Sequence, residues 1–124
     1  MTVRRIVPNL AAVDPVATAT FYRHVFGLEI VADHGGFVTV AAEVHQSAQL
    51  GLARDGGSGA PMPDLSIEVD ELDGPLLTAQ ILGAPILYGP VREPWGVDRF
   101  SLRDPNGRIV DVLVRRSATG DLTG

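Results

Sequence analysis

Two carboxylates and one arginine stand at positions of the sequence where chemistry would be expected. Asp111 lies inside the β-branched run 109–114, and Arg99 begins a run, 99–103, that alternates polar and apolar side chains. Asp64 opens a third short segment of the same kind. Two close carboxylates push their pKa values apart and can act as general acid and base. An arginine beside them would instead neutralise one carboxylate, so both interpretations stay open.

Other reactive side chains are absent or poorly placed. The sequence contains neither cysteine nor lysine, which excludes thiol nucleophiles, disulfides and lysine Schiff bases. Ser66 or Ser101 as a nucleophile would need a histidine base nearby, and none of the three histidines is suitably placed. Trp95, the only tryptophan, could stack on a flat ligand or anchor the turn 94–96 from beneath.

Length and charge limit the classes of function. A chain of 124 residues is long enough for one domain with a real core. Its net charge of −5 makes nucleic acid an unexpected partner. No apolar run is long enough to span a membrane and no signal-peptide pattern opens the chain, so we expect a cytoplasmic protein without a membrane partner.

The elements that must position these side chains can be read from the pattern. Asp14 and Pro15 are typical of a helix start and Gly27 of a helix end, which predicts a helix over residues 15–26. A second helix is predicted over residues 73–82, with Leu76, Leu77 and Ile81 facing inward. Strands are predicted at residues 6–13, 28–32, 37–42, 47–53, 65–69, 85–88, 99–103 and 109–114.

The two halves of the chain repeat this order. Val13-Asp14 is followed by Gly27 at the same spacing at which Val69-Asp70 is followed by Gly83. Such a repeat predicts an α+β fold of two βαβββ modules within a single domain. We place the first module at about residues 4–53, a linker at 54–63, the second module at about 64–116 and a tail at 117–124.

The motifs within this repeat resemble a known family. FYRHVFGLEI after Asp14-Pro15, then EPWGVDRF and DPNGRIVDVL, are together similar to the vicinal oxygen chelate superfamily of glyoxalases, bleomycin-resistance proteins and dioxygenases. The PWG turn ahead of DPNG most resembles bleomycin-resistance-like members. The resemblance covers residues 6–114 and implies paired modules that form a curved mixed sheet, a cup, in a protein that dimerises.

Strand alternation assigns one face of this sheet to a candidate ligand site. That face could be an ordinary solvated surface, but the repeat and the resemblance favour a concave binding surface with Trp95 at its mouth. The side chains assigned to it are Asn9, Phe37, Thr39, Gln49, Asp64, Ser66, Arg99, Ser101 and Asp111.

The resemblance also implies where a metal would bind. Metal-dependent members use two histidines and two glutamates, and the corresponding positions here are Val7, Gln49, Asp64 and Asp111. Two aspartates alone are a poor donor set for a first-row transition metal. We therefore expect no metal and no cofactor.

The function expected from the sequence is that of a metal-free small-molecule binding protein, with a planar or cationic ligand such as an antibiotic that it sequesters. The alternative is an enzyme of the same fold. It would be a metal-dependent lyase, isomerase or dioxygenase, or a metal-free isomerase or cyclase that uses Asp64 and Asp111. A third possibility is a structural or regulatory domain without a ligand. The sequence favours binding over catalysis and leaves catalysis open as the alternative.

Overall fold

The computed structural model describes residues 1–2, 4–5, 7–34, 36–45, 49 and 51–116. The chain divides into two compact units, Met1–Arg54 and Asp55–Gly124. The first contains α1 (Pro15–Phe26), β1 (Glu29–Asp33) and β2 (Val38–Ala41). The second contains β3 (Leu65–Glu68), α2 (Asp73–Ile81), β4 (Ile86–Glu93), β5 (Val97–Arg103) and β6 (Ile109–Arg115).

Helix α1 begins and ends where its capping residues predict. The Asp14 carboxylate accepts a hydrogen bond from the backbone N–H of Ala17 at 3.1 Å, and Pro15 occupies the first turn. Gly27 ends the helix in the left-handed conformation, with φ of 68°, and donates its N–H to the carbonyl of Arg23.

The strands of the first unit match the prediction only in part. β1 and β2 form an antiparallel pair, and the backbone N–H of His34 closes its turn on the carbonyl of Phe37 at 2.9 Å. The predicted strand at 6–13 is not formed over the described residues 7–13. Residues 47, 48 and 50 of the predicted strand at 47–53 lie outside the described part, and Gln49 and residues 51–53 are not in a strand.

The second unit has the predicted βαβββ topology. Its sheet has the order β3-β6-β5-β4, in which β3 runs parallel to β6 and the other pairs are antiparallel. The hairpin turn before β6 is built by Asp104, whose Oδ1 accepts the backbone N–H groups of Asn106 and Arg108 at 2.8 and 2.9 Å. Gly107, with φ of 79°, donates to the carbonyl of Asp104 and closes the turn.

The core of the second unit lies on one face of β5 and β6. Phe100 pairs with Val112 and Leu102 with Val110, and all four side chains are fully buried. Period-2 alternation then places Arg99, Ser101 and Asp111 on the opposite face, as predicted.

The inward face of α2 differs from the prediction. Leu77 and Ile81 are exposed and Leu76 is half-buried, whereas Pro75 and Ala79 are buried. Most residues of α2 are apolar, so periodicity alone does not choose the buried stripe, and packing selects the smaller side chains. Within the described residues, no helix has both the length and the apolar character needed to cross a membrane.

Candidate functional site

The second unit carries a cluster of polar side chains on the sheet face opposite its core, and all of them are buried except the half-buried Tyr88. We call it the polar cluster, and its members are Tyr88, Glu93, Arg99, Ser101 and Asp111. Glu93 is 2% exposed and Arg99 5% exposed, and Ser101 and Asp111 are equally inaccessible. Charged side chains are buried to this extent only when they are paired, so the cluster must be internally satisfied.

Arg99 lies at the centre of the polar cluster. Its Nε donates to Oε2 of Glu93 at 2.8 Å and its Nη1 to Oδ2 of Asp111 at 3.3 Å. Its Nη2 donates to the backbone carbonyls of Gly56 and Gly57 at 2.9 and 3.1 Å. The planar guanidinium can serve acceptors in several directions at once, which a lysine ammonium could not do with the same geometry.

Two hydroxyl groups complete the cluster. The Tyr88 hydroxyl donates to Oε2 of Glu93 at 2.8 Å, and the Ser101 hydroxyl donates to Oδ1 of Asp111 at 3.2 Å. Both Asp111 oxygens therefore have partners, and Oε2 of Glu93 accepts two hydrogen bonds. The two carboxylates and one guanidinium together leave one net negative charge in a buried region.

Hydrogen bonds and charges within the polar cluster change the pKa values of Tyr88, Glu93 and Arg99. The hydrogen bond to the Glu93 carboxylate raises the pKa of Tyr88 above its ordinary value. Burial alone would raise the pKa of Glu93, but hydrogen bonds from Tyr88, Arg99 and Ser58 outweigh it, so this pKa is lowered. Burial alone would lower the pKa of Arg99, but its bond to Glu93 and the charge of Asp111 raise it. Glu93 and Arg99 are thus held ionised and Tyr88 neutral.

Trp95 lies at the surface above the polar cluster. The Arg99 guanidinium is 5.4 Å from the centre of the Trp95 ring and 5.1 Å from that of Tyr88. A Cβ atom at Gly57 would be 3.4 Å from Cη2 of Trp95, so the indole lies next to this loop. The indole is still 55% exposed. Trp95 is therefore anchored on one side and keeps a free surface on the other.

Arg116 fixes the turn that carries Trp95. Its Nη2 donates to the carbonyl of Glu93 at 2.7 Å, and its Nη1 donates to the carbonyl of Val97 and to Asp98 at 2.9 and 2.7 Å. The end of β4 and the start of β5 are thus tied to the residue that follows β6. This clamp holds the backbone of Glu93, as well as Trp95, in place.

The predicted site residues of the second unit do not all come together. Arg99, Ser101 and Asp111 meet in the polar cluster. Asp64 is exposed, and its Oδ2 accepts the backbone N–H of Ile109 at 2.8 Å. Ser66 pairs in register with Asp111 on the neighbouring strand, but its side chain is exposed.

Sequence reasoning missed Glu93 and Tyr88, although a signal for Glu93 existed. Glu93 immediately precedes the PWG turn, in a strand whose partner strand carries Arg99. The segment 54–63, predicted as a linker, also contributes: Gly56 and Gly57 bind Arg99, and Ala60 is buried.

The first unit contains a cavity of about 430 Å³. The predicted site residues Asn9, Phe37 and Thr39 line it together with Thr18 and Tyr22 of α1. The rest of its wall is largely aliphatic, with Leu10, Val38 and Val40 among the lining side chains. Gln49, the other site residue predicted in this unit, is exposed and is not part of the cavity wall.

The described residues do not fit the metal ion that the resemblance implies. Val7 has no ligand atom in its side chain, Asp64 is bonded to a backbone N–H, and both oxygens of Asp111 are bonded within the polar cluster. Across the described ranges, no group of three or more His, Asp or Glu side chains is placed to hold a metal ion.

Comparison with known proteins finds likeness at the level of structure. No protein-family model and no curated protein matches the sequence. Lactoylglutathione lyase from Agrobacterium tumefaciens is 27% identical, with a TM-score of 0.58 over 85% of this chain and 88% of that chain. TioX from Micromonospora sp. ML1 is 18% identical, with a TM-score of 0.60 over 93% of this chain and 98% of that chain.

A third similar structure is TnmS3, an antibiotic binding protein from Streptomyces sp. CB03234. It is 22% identical, with a TM-score of 0.57 over 82% of this chain and 87% of that chain. These likenesses agree with the βαβββ topology of Asp55–Gly124 and with the motifs in the sequence. The chain therefore has the α+β glyoxalase/bleomycin-resistance/dioxygenase fold, which is the fold of the vicinal oxygen chelate superfamily.

Proposed function

We propose that this chain is a small-molecule binding protein that sequesters a planar, mostly apolar compound such as an antibiotic. The observation that carries the proposal is the cavity in Met1–Arg54. Its volume of about 430 Å³ lies within the usual range for ligand sites, roughly 300–1,000 Å³. Aliphatic walls with a few polar groups, here Asn9, Thr18 and Thr39, are also typical of such sites.

Trp95 is the proposed contact for a planar ligand in the second unit. Its indole is exposed on one side and held in place by Arg99 and Gly57 on the other, so little conformational freedom is lost when a ligand stacks on it. The net negative charge of the polar cluster favours a ligand with a positive charge over an anion. Asp64 and Ser66, which are exposed, are proposed outer contacts on the second unit, and the exposed Gln49 is a proposed contact on the first.

Binding is favoured over catalysis by the state of the carboxylates. Asp64 and Asp111 each have separate partners and do not share a proton, so they do not form the acid–base pair that a metal-free isomerase or cyclase would need. The likeness to lactoylglutathione lyase is the specific observation for the enzyme alternative. A metal-dependent lyase would require a donor set that the described residues do not supply.

The test is a thermal-shift screen of planar antibiotics against the full chain, followed by mass spectrometry of the recovered compound. Binding alone returns the compound unchanged, whereas an enzyme returns a product. Ala19→Leu narrows the cavity from α1 and should abolish binding, while Ala17→Leu, on the exposed side of the same helix, should not. If the two leucine variants bind a hit compound as tightly as the parent, the cavity is not the site.

We further propose a homodimer that works in the cytoplasm. The sheet of the second unit has β3 and β4 as its outer strands, and α2 exposes Leu77 and Ile81. Outer strands and exposed apolar side chains are commonly covered by a symmetric partner. Light scattering at micromolar concentration should give twice the monomer mass, and a monomer mass would contradict this part of the proposal.

A further inference from the structure

The Arg99 guanidinium is surrounded by oxygen atoms. Within 3.3 Å lie one carboxylate oxygen each from Glu93 and Asp111 and the backbone carbonyls of Gly56 and Gly57. Carboxylate and carbonyl oxygens are the ligands that hard divalent cations take in proteins. Here the cation that these oxygens surround is the guanidinium of Arg99, a side chain of the protein itself.

The charge of this arrangement explains why a cation is required. Glu93 and Asp111 are almost completely inaccessible, and two buried carboxylates without a counter-charge would be strongly unfavourable. A guanidinium is charged at every accessible pH and its donors point in fixed directions. A divalent ion would have to bind the same oxygens at about 2.0–2.6 Å, inside the volume that the guanidinium occupies.

We propose that Arg99 is a built-in cation that does the charge-neutralising work of a metal ion in the polar cluster and excludes a metal from it. Asp111 is the last-strand position at which the family resemblance implies a metal ligand. At this one position, the carboxylate that could bind a metal is already bound to an internal cation. This inference concerns the second unit and does not depend on the cavity of the first.

The proposal predicts that a metal site appears when the guanidinium is removed. Tb³⁺ is a suitable probe because it prefers oxygen ligands and its luminescence is sensitised by a nearby indole. Trp95, the only tryptophan, lies with its ring centre 5.4 Å from Cζ of Arg99, so it would sensitise an ion bound there. The full-length parent and Arg99→Ala are titrated with TbCl₃ and excited at the indole band.

The expected result is no saturable sensitised emission from the parent and saturable emission from Arg99→Ala. The variant should bind with a dissociation constant of about 10⁻⁴ M or tighter, at least about tenfold tighter than the parent. Adding Asp111→Asn to Arg99→Ala should weaken binding again. Arg103→Ala is the matched control, since Arg103 is exposed on the same strand and the described side-chain contact of its guanidinium is to the Gly107 carbonyl.

Stability gives a second readout if Arg99→Ala folds poorly. A ligand that binds only the folded state raises the melting temperature by mass action. Ca²⁺ or Tb³⁺ should therefore restore much of the melting temperature that Arg99→Ala loses, and should leave the melting temperature of the parent unchanged. Arg99→Gln, which keeps hydrogen-bond donors without the charge, should show a smaller rescue. Saturable Tb³⁺ emission from the parent would overturn the proposal, and so would an Arg99→Ala protein that neither binds Tb³⁺ nor is stabilised by it.

Discussion

Glu93 and Arg99 form an ion pair of 2.8 Å in which both side chains are almost completely removed from solvent. The second ion pair of the same guanidinium, to Asp111, is longer at 3.3 Å. Glu93 also accepts a hydrogen bond from Tyr88 through the same oxygen. The carboxylate at the end of β4, which sequence reasoning overlooked, is therefore the tighter partner of Arg99.

These distances predict which of two conservative substitutions lowers the unfolding free energy more. Asp111→Asn should cost about 1–3 kcal/mol of unfolding free energy, because Arg99 and Ser101 lose a charged acceptor while Arg99 keeps Glu93. Glu93→Gln should cost more, since the shorter ion pair and the Tyr88 bond are both weakened. Urea denaturation of the two variants measures the order. A larger loss for Asp111→Asn would show that the distances do not report the strengths of the two pairs.

The lowered pKa of Glu93 predicts how stability depends on pH. A carboxyl group whose pKa is lower in the folded than in the unfolded state stabilises the folded protein at neutral pH. That contribution is lost as the pH falls from the ordinary value of 4.5 through the lower folded value. The stability gap between the parent and Glu93→Gln should thus be constant near neutral pH and should close below it. Denaturation curves of both proteins over this acidic range test the prediction. A stability difference that increased as the pH fell would contradict it.

Gly89 lies where β4 passes close to the backbone of β5. Its φ is +77°, and an added Cβ atom would be 2.5 Å from the carbonyl oxygen of Arg99. Gly107 has nearly the same φ, +79°, with no atom within 4 Å of its Cβ position. Gly107→Ala should therefore cost about 1–2 kcal/mol from backbone strain alone. Gly89→Ala should cost about 1–3 kcal/mol more than Gly107→Ala, because β4 and β5 must also move apart.

Thermal unfolding of the two alanine variants separates backbone strain from close approach. The prediction requires Gly89→Ala to be the less stable of the two. Equal melting temperatures would mean that β4 can shift away from Arg99 at no cost.

Trp95→Ala tests the proposed ligand contact in the second unit. Its loss of stability should be small, about 0.5–1 kcal/mol, because a half-exposed indole loses one cation–π contact with Arg99. Its affinity for a planar ligand should fall roughly tenfold. Calorimetric binding and thermal unfolding are measured on the same protein. Unchanged affinity with lowered stability would assign Trp95 to packing alone.

The local features of this protein could be predicted from its sequence. Asp14, Pro15 and Gly27 predict both ends of α1, and the turn at 104–107 follows from residues that bond to their own neighbours. The alternation in β5 and β6 also predicts correctly which side chains lie opposite the core. Each of these features depends on residues that are adjacent in sequence or one pleat apart, so the information is present in the pattern itself.

Tertiary structure decided which of the predicted polar residues act together. Arg99 reaches Glu93 across the β4–β5 pair, Asp111 across the β5–β6 pair, and Gly56 and Gly57 from a segment more than forty residues away. The buried stripe of α2 was likewise chosen by packing, since its sequence is apolar on several sides. A buried charge selects its partners through the distances and directions available in the folded sheet, and these are set by strand register and loop path rather than by spacing along the chain.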